Sequence, residues 1–152
     1  MIAVAGATGN VVRALVQRLV ADGLPVRALT RDPQRAALPD GAEVVRLRPD
    51  RPEALFEGAT KLFPYLQTGT DLPAAARAAG VRHVVLLSSG IIQDGADETH
   101  PIHVMHATAQ RAIRDSGLEW NFLRPSVYAT DALWGHPHAL QAAGEGTADP
   151  HR

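Results

Sequence analysis

The chain has 152 residues, 45% of them hydrophobic and 20% charged, enough for one domain with a core of ordinary composition. A formal net charge of −1 gives no basic balance pointing to nucleic acid, and the absence of cysteine excludes disulfides and thiol chemistry. No apolar run reaches the roughly 18 residues of a membrane-spanning helix, and the first residues lead straight into a strand pattern, so a cytoplasmic protein is expected.

Ile2-Ala3-Val4-Ala5 reads as a strand and Gly6-Ala7-Thr8-Gly9-Asn10 as a turn. Apolar residues then recur at helical spacing at Val12, Leu15, Val16, Leu19 and Val20, up to a stop at Asp22-Gly23. Val26 to Leu29 is a second strand, ending at Thr30-Arg31-Asp32. In such a unit the backbone N–H groups of the turn and of the helix N-terminus face one point and favour an anionic group there. A dinucleotide pyrophosphate is the usual occupant, which makes Gly6, Ala7, Thr8, Gly9, Asn10 and Val11 the candidate binding residues. The alternative is that the glycines only permit a tight strand-to-helix turn. The pattern asks for a third glycine three positions after Gly9, for close helix–strand packing, and Val12 stands there. A displaced helix or an overpacked contact is therefore expected, with weak binding that Val12→Gly would tighten.

Pro33 to Leu38 gives at most a short helix that Asp32 can cap, and Pro39-Asp40-Gly41 a turn. Glu43 to Leu47 is a third strand, Glu53 to Phe56 one helical turn, and Lys61 to Leu66 a fourth strand weakened by Pro64. Asp71 to Ala79 is an alanine-rich helix stopped by Gly80. Val81 to Leu87 has the continuous apolar character of a strand buried on both faces. A polar loop covers 91–100, a long helix Pro101 to Ser116, and a sixth strand Trp120 to Leu123, closed by Arg124-Pro125. A further helix is expected over 131–143, and 144–152 reads as a disordered tail. Strands alternating with helices give an α/β domain over 1–143: a Rossmann-type, doubly wound parallel sheet of about six strands in order 3-2-1-4-5-6, with its ligand at the carboxyl ends of the strands.

Four blocks, IAVAGATGN (2–10), VRALTRDP (26–33), AARAAGVRHVVLLSS (75–89) and SGLEWNFLRP (116–125), resemble the NmrA-like family, atypical members of the extended short-chain dehydrogenase/reductase group. The resemblance runs from residue 1 to about residue 135. It implies NAD(P)H binding, with an NADPH-dependent oxidoreductase of the quinone or azo reductase type as the expected activity. A non-catalytic dinucleotide sensor or interaction module, or an inactive remnant, is the alternative. Family members usually continue into a substrate-covering lobe, so this chain is expected to be C-terminally truncated. Leu47-Arg48 replaces a Gly-Asp pair usual in the family after the third strand. The Tyr-x-x-x-Lys pair of catalytic relatives falls in register on Ile102 and His106, so the tyrosine acid is absent.

Arg31 follows the second strand, where an acidic residue would take the ribose 2′-hydroxyl of NAD and an arginine the 2′-phosphate of NADP. NADP(H) is thus expected over NAD(H), with Arg48 adding to the positive field; the bland alternative pairs Arg31 with Asp32. The resemblance places Ser88 and Ser89 near the nicotinamide ribose and Pro125 beside the nicotinamide. It leaves Ser88 and His106 as weak catalytic candidates, with a strand-end cap as the alternative for the serines. His100, His103 and His106 are spaced by three, but two histidines on one face without cysteine do not make a structural zinc site, and no metal is expected. A hydrolase triad of Ser88, His106 and Asp94 has no nucleophile-elbow motif behind it. Trp120, Phe122 and Trp134 read as packing residues, and the sixth strand as an apolar edge through which the chain forms a homodimer.

Overall fold

A computed structural model describes residues 1–48, 50–66, 70–92 and 96–126. The expected helix over 131–143, Trp134, the tail 144–152 and Asp94 lie outside the described residues. The strands are β1 (Ile2–Ala5), β2 (Val26–Thr30), β3 (Ala42–Arg46), β4 (Lys61–Phe63), β5 (His83–Leu87) and β6 (Glu119–Leu123). They form one parallel sheet in the order β3-β2-β1-β4-β5-β6, the doubly wound order expected from the glycine turn. The helices are α1 (Asn10–Ala21), α2 (Pro52–Leu55), α3 (Leu72–Ala78) and α4 (Pro101–Asp115).

Alternation along β1 divides the core. Ala3 and Ala5 join Leu55 and Phe56 beside α2, Leu72 and Ala76 of α3 and Ile113 of α4 on one face. Val4 joins Val12 and Val16 of α1 with Val26, Ala28 and Phe63 on the other. Both faces of the central strand are thus dry, as a parallel sheet requires. Val12, at the third-glycine position, is 7% exposed and belongs to the same buried cluster as Ala7 and Ala28, so α1 stays packed on the sheet there.

Three other expectations change. Strand β4 ends at Phe63, not Leu66, because Pro64 has no N–H to continue the ladder. Asp32 makes no side-chain cap on the single 3-10 turn Pro33–Arg35; its backbone N–H donates to Thr30 Oγ1 instead. In β5 Val84 and Leu86 are buried but Val85 and Leu87 only partly so, because α1 packs over β1 and β2 on that face.

Candidate functional site

The turn after β1 begins at Gly6, whose φ of +70° is open to glycine at no steric cost. Gly9 closes it by donating its N–H to Gly6 O at 3.0 Å, and then stands in extended conformation as the N-cap of α1. No side chain caps this helix and its first turn holds no acidic residue. The N-terminal N–H groups and the positive end of the helix dipole therefore face outward at the strand ends.

Around the turn lies a cleft of about 280 Å³, lined by Gly6, Thr8, Gly9, Leu29, Thr30, Arg31, Leu47 and Tyr65. Every lining residue sits at or just beyond the carboxyl end of a strand, from β1 through β4. Leu47 is drawn in because its N–H continues the sheet to Thr30 O at 2.8 Å. Tyr65 follows Pro64 and stands against the turn: a Cβ built on Gly6 would meet its Cβ and Cγ at 3.0 Å. Sequence reasoning passed over Tyr65; its one signal is an aromatic residue directly after a strand-ending proline at the ligand edge.

Arg31 is exposed at the far side of the cleft and makes no ion pair with Asp32, since the ion pairs among the described residues are Arg18–Asp22 and Arg27–Glu43. Its carbonyl accepts a hydrogen bond from Arg46 Nη1 at 3.0 Å, so a second guanidinium fixes the backbone there. Arg46 was also missed, because its part is played through another residue's main chain. Arg48 is exposed and does not line the cleft.

The remaining candidates divide. Ala7 faces the core and is fully buried, so it can offer a ligand only its backbone. Asn10 and Val11 are exposed on the first turn of α1. Neither Ser88 nor Pro125 lines the cleft. Gly90 donates to Pro125 O at 2.9 Å, and a Cβ on Gly90 would stand 2.9 Å from Ser126 Oγ, so the loops after β5 and β6 touch through a bare glycine.

Ser88 belongs to a second, enclosed polar centre. Its Oγ lies 3.2 Å from His106 Nδ1 and accepts from Gln110 Nε2 at 2.6 Å. Gln110 Oε1 accepts from Arg124 at 2.6 Å and from Arg114 at 3.5 Å. Ser88 is 0%, Gln110 1% and His106 7% exposed. Burial alone pushes the His106 imidazole below its ordinary pKa, because the neutral form is the one a dry site tolerates. A wholly enclosed hydroxyl that accepts from an amide is no nucleophile for an external substrate. The strand-end cap considered for both serines holds for Ser89, whose Oγ accepts from Ile91 N. His100 is the N-cap of α4: its Nδ1 accepts from Ile102 N at 3.2 Å. Arg114 also lies over the stacked rings of Trp120 and Phe122, about 5 Å from both centroids, which gives those aromatics the packing role expected of them.

Known proteins resemble this chain in sequence and fold. The chain is 37% identical to a (4-alkanoyl-5-oxo-2,5-dihydrofuran-3-yl)methyl phosphate reductase of Streptomyces griseus, over 95% of its own length and 53% of the relative's. It is 30% identical to an NAD(P)H azoreductase of Xenophilus azovorans, over 95% and 54%. The chain thus spans about half the length of the curated relatives it matches. Among solved structures, the triphenylmethane reductase of Citrobacter sp. complexed with NADP(H) aligns with a TM-score of 0.71 at 26% identity, covering 97% of this chain and 56% of that one. An NADPH-dependent quinone oxidoreductase from Escherichia coli aligns with a TM-score of 0.75 at 25% identity, covering 93% and 53%. A family model described as NAD(P)H-binding matches residues 6–149, and the chain, with its outward-facing glycine turn at the edge of a doubly wound sheet, belongs to that NAD(P)H-binding family.

Proposed function

We propose that this chain binds NADP(H) in preference to NAD(H) and acts in the cytoplasm as an NmrA-like, NADPH-dependent reductase of the quinone or azo type. The observation that carries the reading is the cleft, lined by the glycine turn before the uncapped helix N-terminus and by Arg31, whose guanidinium has no carboxylate partner among the described residues. The turn fits a pyrophosphate because a Cβ on Gly9 would meet nothing closer than Gly6 O at 3.4 Å; the backbone there is open to close approach. Gly6, Ala7, Thr8, Gly9, Asn10 and Val11 would hold the phosphates, and Arg31 the 2′-phosphate, for which its planar fork is suited. Pro125 would border the nicotinamide, and Ser88, being enclosed, would shape that end through its neighbours. The bound cofactor would supply the reducing chemistry; the protein supplies binding and orientation.

Calorimetric titration with NADPH and NADH tests this. A charge-assisted bond is worth roughly 1.5–3 kcal/mol, so NADPH should bind at least about tenfold more tightly, and Arg31→Ala should remove most of that difference. Equal affinities in the unmutated protein would defeat the assignment of Arg31. A second reading, a non-catalytic dinucleotide sensor, is favoured by the exposed Ile102 at the register position of the tyrosine acid. NADPH binding without reduction of a quinone and azo-dye panel would establish that reading.

A further inference from the structure

The enclosed centre between β5, α4 and β6 has a definite direction of hydrogen bonding. Arginine carries donors only, so the Gln110 atom facing Arg124 at 2.6 Å and Arg114 at 3.5 Å is the carbonyl oxygen. The amide nitrogen must then point at Ser88 Oγ, 2.6 Å away, and donate to it. Among the described residues the acceptor in reach of the Ser88 hydroxyl hydrogen is His106 Nδ1 at 3.2 Å. Were Nδ1 protonated instead, Ser88 would accept twice and its own hydrogen would be orphaned in a fully buried site. The proton of a neutral His106 therefore sits on Nε2. His106 as a whole keeps 7% of its surface exposed.

We propose that Gln110 is a positioning residue that, anchored on Arg124 and acting through Ser88, holds His106 as a neutral Nε2–H donor beside the carboxyl end of β5. Such a donor stabilises charge growing on a ligand atom without surrendering a proton. Its ligand is the accepting oxygen or nitrogen of the molecule being reduced. That last assignment rests on the reductase reading; the tautomer does not. The groups around His106 are Ser88 from β5, Gln110 on its own helix, and the two guanidiniums of Arg114 and Arg124 behind the amide; no carboxylate pairs with it among the described residues.

The distinguishing variant is Gln110→Glu. A carboxylate keeps the shape and still faces both arginines, but it can only accept. Ser88 must then donate to it, and His106 must turn over and donate from Nδ1, alone or as imidazolium. Long-range proton–nitrogen NMR on chain labelled with ¹⁵N-histidine reads the tautomer directly, with His106→Gln identifying the signal. The expected result is Nε2–H in the parent from about pH 8 down past the ordinary imidazole value, and Nδ1–H or a raised pKa in Gln110→Glu. An Nδ1–H tautomer in the parent, or the same tautomer and pKa in both proteins, overturns the proposal. If Gln110→Glu does not fold, the parent tautomer alone decides. NADPH titration of the same samples reads the cofactor proposal separately, since the glycine-turn cleft contains neither Gln110 nor His106.

Discussion

Alanine at each glycine of the turn should separate folding from binding. At Gly6 the backbone φ is +70°, where a side chain costs roughly 1–2 kcal/mol. The new Cβ would also stand 3.0 Å from Tyr65 Cβ and Cγ and 3.1 Å from Cδ2. Because Tyr65 Cβ is the fixed root of that side chain, turning the ring does not relieve the contact, and either the turn or the end of β4 must move. Overpacking of this kind costs about 1–3 kcal/mol, so the total is on the order of 3 kcal/mol. For a chain of this size that lowers the melting temperature by roughly 6–12 °C. At Gly9 the backbone is extended, φ −70° and ψ 155°, which any residue adopts, and the added Cβ has an ordinary 3.4 Å contact with Gly6 O. Loss of the glycine N-cap is worth well under about 1 kcal/mol. Yet in the proposed site that methyl would stand where the pyrophosphate approaches the main chain, so NADPH affinity should fall at least about tenfold, or about 1.4 kcal/mol. Thermal melts followed by circular dichroism and calorimetric titration measure the two effects. A Gly6→Ala protein that melts like its parent, or a Gly9→Ala protein that binds NADPH unimpaired, would refute the reasoning.

Val12→Gly should destabilise the protein by roughly 2–4 kcal/mol, from lost burial and a poorer helix former, without tightening NADPH binding; denaturant titration and calorimetry report the two, and tighter binding would restore the overpacking account. The imidazole of His106 has its pKa lowered by burial, so the unfolded chain takes up the proton first. Its contribution to stability should be complete above about pH 6.5 and be lost as the pH falls through the depressed folded value. Urea midpoints measured across that range should lose this slope in His106→Gln; an unchanged slope would assign it elsewhere. Among the described residues strand β6 ends the sheet, with Trp120 and Leu123 about half exposed, so the chain should associate in a concentration-dependent way that Leu123→Lys weakens. Sedimentation of the parent as a clean monomer at tens of micromolar, on the order of concentrations where such edges associate, would count against it.

The parts of this molecule written in local periodicity were legible in the sequence. The run Ile2 to Leu29 carries its own strand, turn, helix and strand signals within one stretch, and the sheet order follows from that unit plus alternation. Boundaries slipped where a single donor decides them, as at Pro64. The site was legible where one residue's backbone does the work, at Gly6 and Gly9. It was not legible where residues far apart converge. Nothing local marks Gln110 as the partner of Ser88, 22 positions earlier, or Tyr65 as the wall that forbids a side chain at Gly6. Gly90 likewise owes its identity to the loop after β6, which passes too close for a Cβ. His100 and His106 belong to one three-residue spacing, yet one caps a helix and the other bonds a serine, because helix ends and helix interiors impose different partners.

A net charge of −1 argues against an anion site, and the same two strands explain why it does not prevent one. Near the amino ends of β2 and β3, Arg27 and Glu43 stand opposite each other in register and form an ion pair at 3.0 Å, with Arg27 also donating to two main-chain carbonyls. At the carboxyl ends, Thr30 is opposite Arg46, Arg46 reaches the carbonyl of Arg31, and neither guanidinium has a carboxylate partner among the described residues. One ladder thus neutralises its cation at one end and leaves its cations uncompensated at the other. The uncompensated end is also where α1 presents its uncapped N–H groups. Two sources of positive potential thus converge at one end of the sheet, within about a Debye length of the cleft. On the proposed reading, ligand charge is selected by this placement and not by composition, so the strand-end position of Arg31 bears more on the cofactor than the charge of the whole chain.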